Sequence, residues 1–458
     1  MPGGNAFKRW SVAGAALCAG LVASTSAHAG AFAIREQSSY YQGMSFAGAA
    51  AGDDLSAMFW NSAAAASAPG INVSAHAALV VPHREIEATG GALAAALEDD
   101  SGEIGDPTFV PATYANYQVS ERLFLGVGLN SGYGFNTKPD NEDWAGSALA
   151  ITSEVFSVNL NPNLAYQVTD ELTVGVGAQV QYFDVRLRSG PATITDSSGA
   201  VIDTLPGRET EGDDWGVGAT AGVIWNPMPG TRLGVGFRSA IEVELDGTCE
   251  GAGLSTFKAQ GGASAISSSP GTGSLAACDA QSPDVTADLT LPELVTVGLS
   301  HQVSDRWRVL GTVEWSNWSR LGTVQIVNDE SGEPVDALPL NYDDGWFFSG
   351  GVEYAYSPST ILRTGIGYEI SPIYDETRDV LLPDNDRLWL SAGFSTKLSE
   401  STKLDFGYSH LFIEDGPVCE AEPDCGTLEA EGTGDIDIVT LGLTHNFGGP
   451  EPELEPLK

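Results

Sequence analysis

Cysteine is the residue type in this chain whose chemistry depends most directly on spacing. Of five cysteines, Cys18 lies in an apolar N-terminal segment, and the others form two local pairs, Cys249 with Cys278 and Cys419 with Cys425. In an oxidising compartment, an even number of cysteines in local pairs favours one disulfide within each of two loops. Metal binding is the alternative. No histidine lies near either pair, so we predict two disulfides and no metal site.

Histidine is the next residue type that could do chemistry. Five histidines follow the N-terminal segment, namely His76, His83, His301, His410 and His445. None stands in a sequence that marks a nucleophile turn or a zinc-binding helix. We interpret His410 and His445 as interfacial or interior imidazoles of strands. The sequence therefore predicts a protein that is not an enzyme and needs no cofactor.

Acidic residues dominate the charge of the chain. There are 61 acidic and 21 basic residues, which gives a net charge of −40, and such a chain repels nucleic acid. Acidic clusters at 98–100, 213–214 and 343–344 offer the oxygen ligands that Ca²⁺ and Mg²⁺ prefer, but no calcium-binding loop pattern is present. We interpret these clusters as solvated loops.

The N-terminus carries the pattern of a secretory signal peptide. Lys8 and Arg9 precede an apolar run over residues 10–24, and residues 27–29 form a small-x-small cleavage pattern. Leu17 is too bulky for the residue that precedes a lipidated cysteine, so we do not expect lipid on Cys18. The prediction is that residues 1–29 are removed and that the mature chain begins at Gly30.

Beyond the signal peptide the chain has no apolar run of about 18 residues, so any crossing of a membrane must use strands. Short polar turns alternate with long loops near 136–150, 189–211, 246–285, 319–344, 370–386 and 414–434. They delimit about fourteen segments, an even number. The first strand is predicted over residues 71–82 and the last over 435–447.

Side chains in these segments alternate with a period of two. In residues 172–182, Val174 and Val176 lie on one face, and Gln179 and Gln181 lie on the other. A soluble β-sandwich has the same period, but alternation at this length is typical of an outer-membrane barrel with apolar residues outside. We interpret the tryptophans of residues 315–318 as part of the aromatic girdle. The fold class predicted is all-β, a transmembrane antiparallel barrel of about 14 strands.

Residues 30–70 differ from the rest of the chain because small residues dominate and no strand or helix period is kept. A segment too short for its own core, followed by many strands, indicates a plug inside the barrel. We call residues 30–70 the hatch. The barrel is then expected over residues 71–447, and an acidic tail over 448–458.

Two regions resemble the FadL-type long-chain fatty-acid and hydrocarbon transporters of bacterial outer membranes. The first is the hatch, with Gly30-Ala31-Phe32, Glu36-Gln37, Gly43, residues 47–50 and Asn61. The second comprises residues 363–368, 371–372, 382–390 and 404–408. Family members usually end the hatch with Asn-Pro-Ala, whereas this chain has the hatch motif Asn61-Ser62-Ala63.

The resemblance implies residues for binding and exit. Gly30, Ala31 and Phe32 are expected to contact a hydrophobic ligand, and Gly132 and Gly134 are expected to kink the third strand and open a lateral gate. The implied function is passive uptake of long-chain fatty acids or other hydrophobic compounds through an interior pocket and a side exit. The alternative is a general porin or a surface adhesin on the same barrel.

The same resemblance sets the expected partners and location. The substrate is a hydrophobic small molecule, whether fatty acid, alkane or aromatic. The protein is expected to be a monomer in the bacterial outer membrane, in contact with membrane lipid and lipopolysaccharide.

Overall fold

The wall of the molecule is built from strands whose successive side chains point to opposite faces. In the first strand Leu79 is 45 % exposed, whereas its neighbours Ala78 and Val80 are each 1 % exposed. The outward face is therefore apolar, and the inward face packs against the interior. The computed structural model describes residues 30–94, 97–195, 201–254, 275–278, 282–420 and 428–448. The predicted signal peptide and residues 449–458 of the predicted tail lie outside these ranges.

All but the β8–β9 pair belong to one antiparallel sheet. The strands are β1 (Ile71–Gly90), β2 (Asp100–Glu103), β3 (Thr108–Gln118), β4 (Leu123–Asn130), β5 (Phe135–Thr137), β6 (Thr152–Gln167), β7 (Leu172–Ser189), β8 (Ala192–Thr195), β9 (Val201–Leu205), β10 (Gly207–Met228), β11 (Thr231–Arg238), β12 (Ile241–Leu254), β13 (Leu275–Ala277), β14 (Asp284–Leu291), β15 (Leu294–Gln302), β16 (Trp307–Ser316), β17 (Thr323–Asn328), β18 (Pro334–Pro339), β19 (Gly345–Ser357), β20 (Thr360–Ile370), β21 (Arg387–Ser399), β22 (Thr402–Ile413), β23 (Gly416–Glu420) and β24 (Leu428–Asn446). β1 pairs with β24, which closes the sheet into a barrel.

The barrel has 14 strands, as the sequence predicts. Seven of them are broken into two segments that lie along the same neighbouring strand. For example, β4 and β5 both pair with β6, and β11 and β12 both pair with β10. The other broken strands are β2 with β3, β14 with β15, β16 with β17, β18 with β19, and β22 with β23.

Several strands are longer than the sequence predicts. β1 runs to Gly90 instead of residue 82, and β24 begins at Leu428 instead of residue 435. β10 begins at Gly207 and β12 continues to Leu254, so the expected loops at 189–211 and 246–285 are partly strand. These strands extend well past the roughly 9–11 residues that a tilted strand needs to cross a bilayer.

The long loops and the strand ends that they join pack together at one end of the barrel. Their buried side chains include Ile86, Leu93, Trp144, Val380 and Val418. The predicted disulfide between Cys249 and Cys278 is present in this part of the molecule. Cys425 lies outside the described residues, so the second predicted pair is not described.

The hatch fills the interior. It contains α1 (Ser39–Gln42) and three 3₁₀ helices, Ala49–Ala51, Leu55–Phe59 and Ser62–Ala66. α2 (Gly91–Ala94) lies in the first long loop. Among the described residues no helix is both long and apolar enough to span a bilayer.

Candidate functional site: an apolar cavity beside the hatch

The site begins with a change of polarity on the inward face of β7. Near the short turns this face carries Gln179 and Gln181, both buried, and Gln181 accepts a hydrogen bond from Asn159 Nδ2 over 2.9 Å. The next inward residue is Phe183, which is fully buried among apolar side chains. Leu187 continues this apolar face toward the long loops. The inward face of this strand is therefore polar in the half near the short turns and apolar in the half near the long loops.

A cavity of about 110 Å³ lies against the apolar half of this inward face. Its acidic members are Glu211 and Asp379, and no lysine, arginine or histidine belongs to the lining formed by the described residues. The apolar lining residues come from the hatch, seven of the strand segments named above and two long loops, and include Phe32, Phe135, Val155, Phe183, Val185, Leu187, Leu245, Val285, Ala287, Leu289, Val324, Ile326, Leu338, Leu340, Tyr342, Leu381 and Leu382. The cavity can therefore accept an uncharged apolar molecule without leaving a polar group unpaired.

Phe32 is the hatch residue at the centre of this lining. Its ring meets Trp318 edge to face at a centroid distance of 4.7 Å, and Tyr133, Phe135 and Phe183 lie between 6.1 and 6.3 Å away. Trp318 is 1 % exposed, so interpreting it as a girdle residue was wrong. The break between β16 and β17 turns it inward. Aromatic contacts of this kind add about 0.5–1.5 kcal/mol each to simple burial.

The two residues before Phe32 lie apart from the main cavity. The Ala31 N–H donates to Asp384 Oδ2 over 2.9 Å, and Gly30 lines a separate recess of about 20 Å³. Burial alone would raise the pKa of the Asp384 carboxyl, but the Arg387 guanidinium, the Ser371 hydroxyl and the Ala31 N–H hold that pKa below its usual range. Asp384 is thus a charged anchor for the start of the hatch.

The first hatch residues also pair with the wall where β4 is interrupted. The Ile34 N–H donates to the Gly132 carbonyl over 2.9 Å, and the Gly134 N–H donates to the Phe32 carbonyl over 2.8 Å. Ala33 and Tyr133 face each other between these bonds. Residues 30–34, which we call the arm, therefore form a short strand beside residues 132–134.

This pairing leaves a gap in the wall. β3 pairs with β4 only over residues 113–118, so its upper residues face the interrupted segment without ladder bonds to β4. A small recess there is lined by Ile34, Thr108, Val110, Ser131, Tyr133, Gly134, Val155 and Phe156. Ile34 is 5 % exposed, and its Cδ1 occupies the space beside Gly134. The arm closes the gap from inside.

After the arm, Arg35 fixes the hatch to the opposite wall. Its guanidinium contacts Glu314 Oε1 at 2.6 Å and Glu369 Oε1 at 3.1 Å, and it lies 3.9 Å from the centre of the Phe347 ring. The Glu36 carboxyl is 2 % exposed, and neither of its oxygens has a hydrogen-bond partner among the described residues. Burial raises the pKa of Glu36 to about 7.

We call residues 35–66 the hatch body. Its last 3₁₀ helix begins at the motif Asn61-Ser62-Ala63. Asn61 caps the last 3₁₀ helix by accepting from the Ala63 N–H, and its Nδ2 donates to the Ala50 carbonyl over 2.7 Å. The Ser62 hydroxyl donates to Thr220 Oγ1 over 2.6 Å. In this structure the motif joins two parts of the hatch and binds them to β10.

Comparison with known proteins agrees with this architecture. A sequence model of the family described as outer membrane protein transport protein (OMPP1/FadL/TodX) matches residues 20–447. The chain belongs to this family. It is therefore a β-barrel of the bacterial outer membrane, with its hatch inside.

FadL/TodX relatives align over nearly the whole chain. The long-chain fatty acid transport protein of Escherichia coli K12 is 24 % identical over 430 residues, covering 86 % of this chain and 91 % of the relative. Outer membrane protein P1 of Haemophilus influenzae is 26 % identical over 468 residues, covering 93 % and 94 %.

Solved structures show the same fold. A Pseudomonas aeruginosa FadL homologue superposes with a TM-score of 0.76 at 20 % identity, covering 91 % of this chain and all of that one. The Ralstonia pickettii toluene transporter TbuX superposes with a TM-score of 0.62 at 20 % identity, covering 90 % and 99 %.

Within this FadL/TodX barrel the predicted site residues fall into separate places. Phe32 lines the main cavity, and Gly132 and Gly134 lie beside the arm at the wall gap. Gly30 and Ala31 do not belong to the described lining of the main cavity. Sequence reasoning missed the wall residues of the cavity, because the inward face of residues 172–182 is polar and the change to apolar residues begins just after it, at Phe183.

Proposed function

We propose that this protein is a passive outer-membrane channel for uncharged hydrophobic molecules. The observation that carries this proposal is the apolar cavity, whose lining holds two acids and no described basic side chain. Moving a molecule through it requires no bond to be made or broken, so the proposal includes no catalysis. We also propose that the barrel is a monomer and that its outer face contacts outer-membrane lipid and lipopolysaccharide.

The charge of the lining favours neutral cargo over fatty acids. A carboxylate in the cavity would lose its hydration and would lie near Glu211 and Asp379 instead of a cation, which is strongly unfavourable. An alkane or aromatic molecule meets no such penalty. A volume of about 110 Å³ is close to the roughly 150 Å³ that holds one benzene in an engineered apolar cavity.

A matched pair of solutes tests this choice. Purified barrels are reconstituted in liposomes, and entry of octane is compared with entry of octanoate at pH 8, each relative to protein-free liposomes. We expect the barrel to accelerate the entry of octane more than the entry of octanoate. Faster octanoate entry would reverse the assignment and return the protein to the fatty-acid class.

The exit that we propose is the wall gap beside residues 132–134. A solute in the cavity contacts Phe32, and the arm that carries Phe32 also closes the gap with Ile34. Displacement of the arm would connect the cavity to the bilayer without passing the hatch body. A lateral route suits such cargo, because each CH₂ gains about 0.8 kcal/mol in an apolar environment.

A reversible cross-link tests the route. Ala33 and Tyr133 face each other across an antiparallel bridge, where Cβ atoms lie about 4.5–5.5 Å apart, near the range for a disulfide. The double variant Ala33→Cys/Tyr133→Cys should lose octane entry when oxidised and regain it on reduction. Tyr133→Cys alone is the control for the lost ring. Full entry through the oxidised double variant would exclude the gap as the exit.

The alternative is a general porin or an adhesin. A porin needs an open lumen, whereas here the hatch occupies the interior. Liposome swelling with sugars separates the two, since rapid sugar entry through the intact protein would favour the porin.

A further inference from the structure

Two histidines and two aspartates meet on the outer face of the barrel, where its first and last strands close the wall. His83 of β1 lies directly opposite Asp435 of β24, and His410 of β22 lies directly opposite Asp437 of β24. All four side chains belong to the outward-facing set of their strands. They have no part in the cavity, the arm or the wall gap.

The distances in this group suit a metal ion. One ligand atom from each of His83, Asp435 and Asp437 can be chosen so that all three lie within 4.8 Å of one another. His83 Nε2 lies 3.9 Å from Asp437 Oδ2. Metal bonds of about 2.0–2.2 Å at a tetrahedral angle place two ligand atoms about 3.3 Å apart, so a small side-chain rotation closes the site.

Neighbouring side chains already orient the ligands. Asp437 Oδ1 accepts hydrogen bonds from the Tyr408 hydroxyl at 2.6 Å and from His410 Nδ1 at 2.9 Å, which leaves Oδ2 turned toward His83. On the other side, His83 Nδ1 lies 3.7 Å from Glu103 Oε1. A carboxylate beside Nδ1 favours a proton there and leaves the Nε2 lone pair for a metal.

The surrounding charge also favours a cation. Within the described ranges, neither Asp435 nor Asp437 forms an ion pair with a lysine or arginine; the pairs of Asp437 are with His83 and His410. Two carboxylates with an imidazole form a mixed oxygen and nitrogen donor set. Ca²⁺ and Mg²⁺ take oxygen ligands, whereas Zn²⁺ accepts imidazole together with carboxylate.

The position in the membrane shows what such an ion would do. On the outward face of β1 and β24, Leu79 and Leu441 are exposed and apolar, and His83 and Asp437 are the first charged pair toward the long loops. The group therefore lies at the outer boundary of the apolar belt. An ion held there would join β1 to β24 across the closing seam.

We propose that His83, Asp435 and Asp437 form a zinc-binding site that fastens the barrel seam, with His410, Tyr408 and Glu103 as positioning residues. This site is independent of the proposed transport function, because its residues neither line the cavity nor touch the hatch. The acidic clusters that the sequence singles out at 98–100, 213–214 and 343–344 are not part of it.

Zinc titration of the full-length mature barrel in detergent, after treatment with a chelator, tests the site. We expect one Zn²⁺ per chain, and His83→Ala should weaken binding by about tenfold or more, as should Asp437→Asn. Glu103→Gln should have a smaller effect. His445→Ala is the matched control, because His445 also lies on β24 but has the Thr402 hydroxyl as its partner at 2.8 Å.

Thermal unfolding in SDS provides a second readout that confirms assembly of each variant. Zn²⁺ should raise the unfolding temperature of the parent and of His445→Ala, but not of His83→Ala. If His83→Ala fails to assemble, Asp435→Asn takes its place in both measurements. The proposal is overturned if the parent binds no Zn²⁺, if His83→Ala binds as tightly as the parent, or if Ca²⁺ binds equally well to both, since this last result describes an acidic surface without a built site.

Discussion

The arm and the hatch body are adjacent in sequence but are held to the barrel in different ways. The body packs backbone against backbone at wall glycines: a Cβ at Gly236 would overlap the Trp60 carbonyl oxygen, and one at Gly175 would overlap the Ala63 nitrogen. The arm has two backbone hydrogen bonds to residues 132–134, one bond to Asp384 and aromatic contacts around Phe32.

This difference separates two tasks within one segment. Where the backbone of the body packs directly on a wall glycine, no side chain lies between them that could change its rotamer. The body is therefore a rigid stopper. The aromatic contacts of the arm are ones that a hydrophobic molecule could replace, and besides them the arm has the three hydrogen bonds given above. Arg35 marks the boundary between the arm and the hatch body. We infer that the arm is the part that responds to cargo, and the following variants test this division.

The largest expected effect comes from breaking the body contact. Gly236→Val forces the hatch away from β11, and overpacking of this kind costs about 1–3 kcal/mol or more. We expect rapid sugar entry in liposome swelling and less heat-stable barrels. Gly350→Val is the matched control, because nothing lies within 4 Å of a Cβ placed there. Leakage in both variants would mean that any wall valine disturbs assembly.

Removal of the start of the arm should have the next largest effect. Deletion of residues 30–32 should spare barrel assembly and exclusion of sugars, but it should lower octane uptake about tenfold, because Phe32 and the pairing to Gly134 are lost. Phe109→Ala, which alters a phenylalanine 45 % exposed on the outer face, is the control. Unchanged uptake in the deletion would make the arm a passive stopper like the body.

Glu36 should make the boundary between arm and body sensitive to pH. Its pKa is raised from 4.5 to about 7 by burial, so the folded form holds a proton that the unfolded form releases. Native stability should therefore fall as pH rises from 4.5 to about 7 and level off above that. The upper bound is about 3 kcal/mol, from 1.36 kcal/mol per unit. Glu36→Gln should remove this slope in SDS unfolding between pH 5 and 8; an identical slope would assign it to another group.

The smallest effect on transport is expected from the loop disulfide. Cys249 and Cys278 close a separation of 29 residues, which in the chain-entropy model contributes about 3–4 kcal/mol against an unfolded loop. The double variant Cys249→Ser/Cys278→Ser should become easier to cleave by protease in this loop while octane uptake stays near the parent value. A large loss of uptake would extend the responsive region beyond the arm.

Much of the barrel could be predicted from the sequence because strand alternation is local. The faces of residues 172–182 are as expected, with Val176 57 % exposed and Gln181 fully buried. The ends of the strands were not predicted, since acidic residues such as those at 98–100 and 213–214 look like loops whether or not they continue a strand. Part of the cavity lining was missed for a related reason, since Val324, Ile326 and Leu338 lie in strands within the segment 319–344 that was predicted as a loop.

The remaining errors arise from contacts between distant segments. Trp318 turns inward at a break in its strand, and a short motif of aromatic residues does not distinguish an interior site from the membrane interface. The approach of Asn61 to β10, and of His83 to Asp437, depends on register across the closed barrel. Separation along the chain hides both, and only the pairing of strands brings them together.

The polarity change at Phe183 has a consequence for the direction and rate of transport. The partitioning of solutes from water into an apolar cavity follows their hydrophobicity. Each added methylene gains about 0.8 kcal/mol and therefore enriches a solute in the cavity about fourfold. Enrichment of this kind acts equally from both sides. Net flux through the barrel is therefore set by whichever compartment removes the solute, and the cavity determines only which solutes take part.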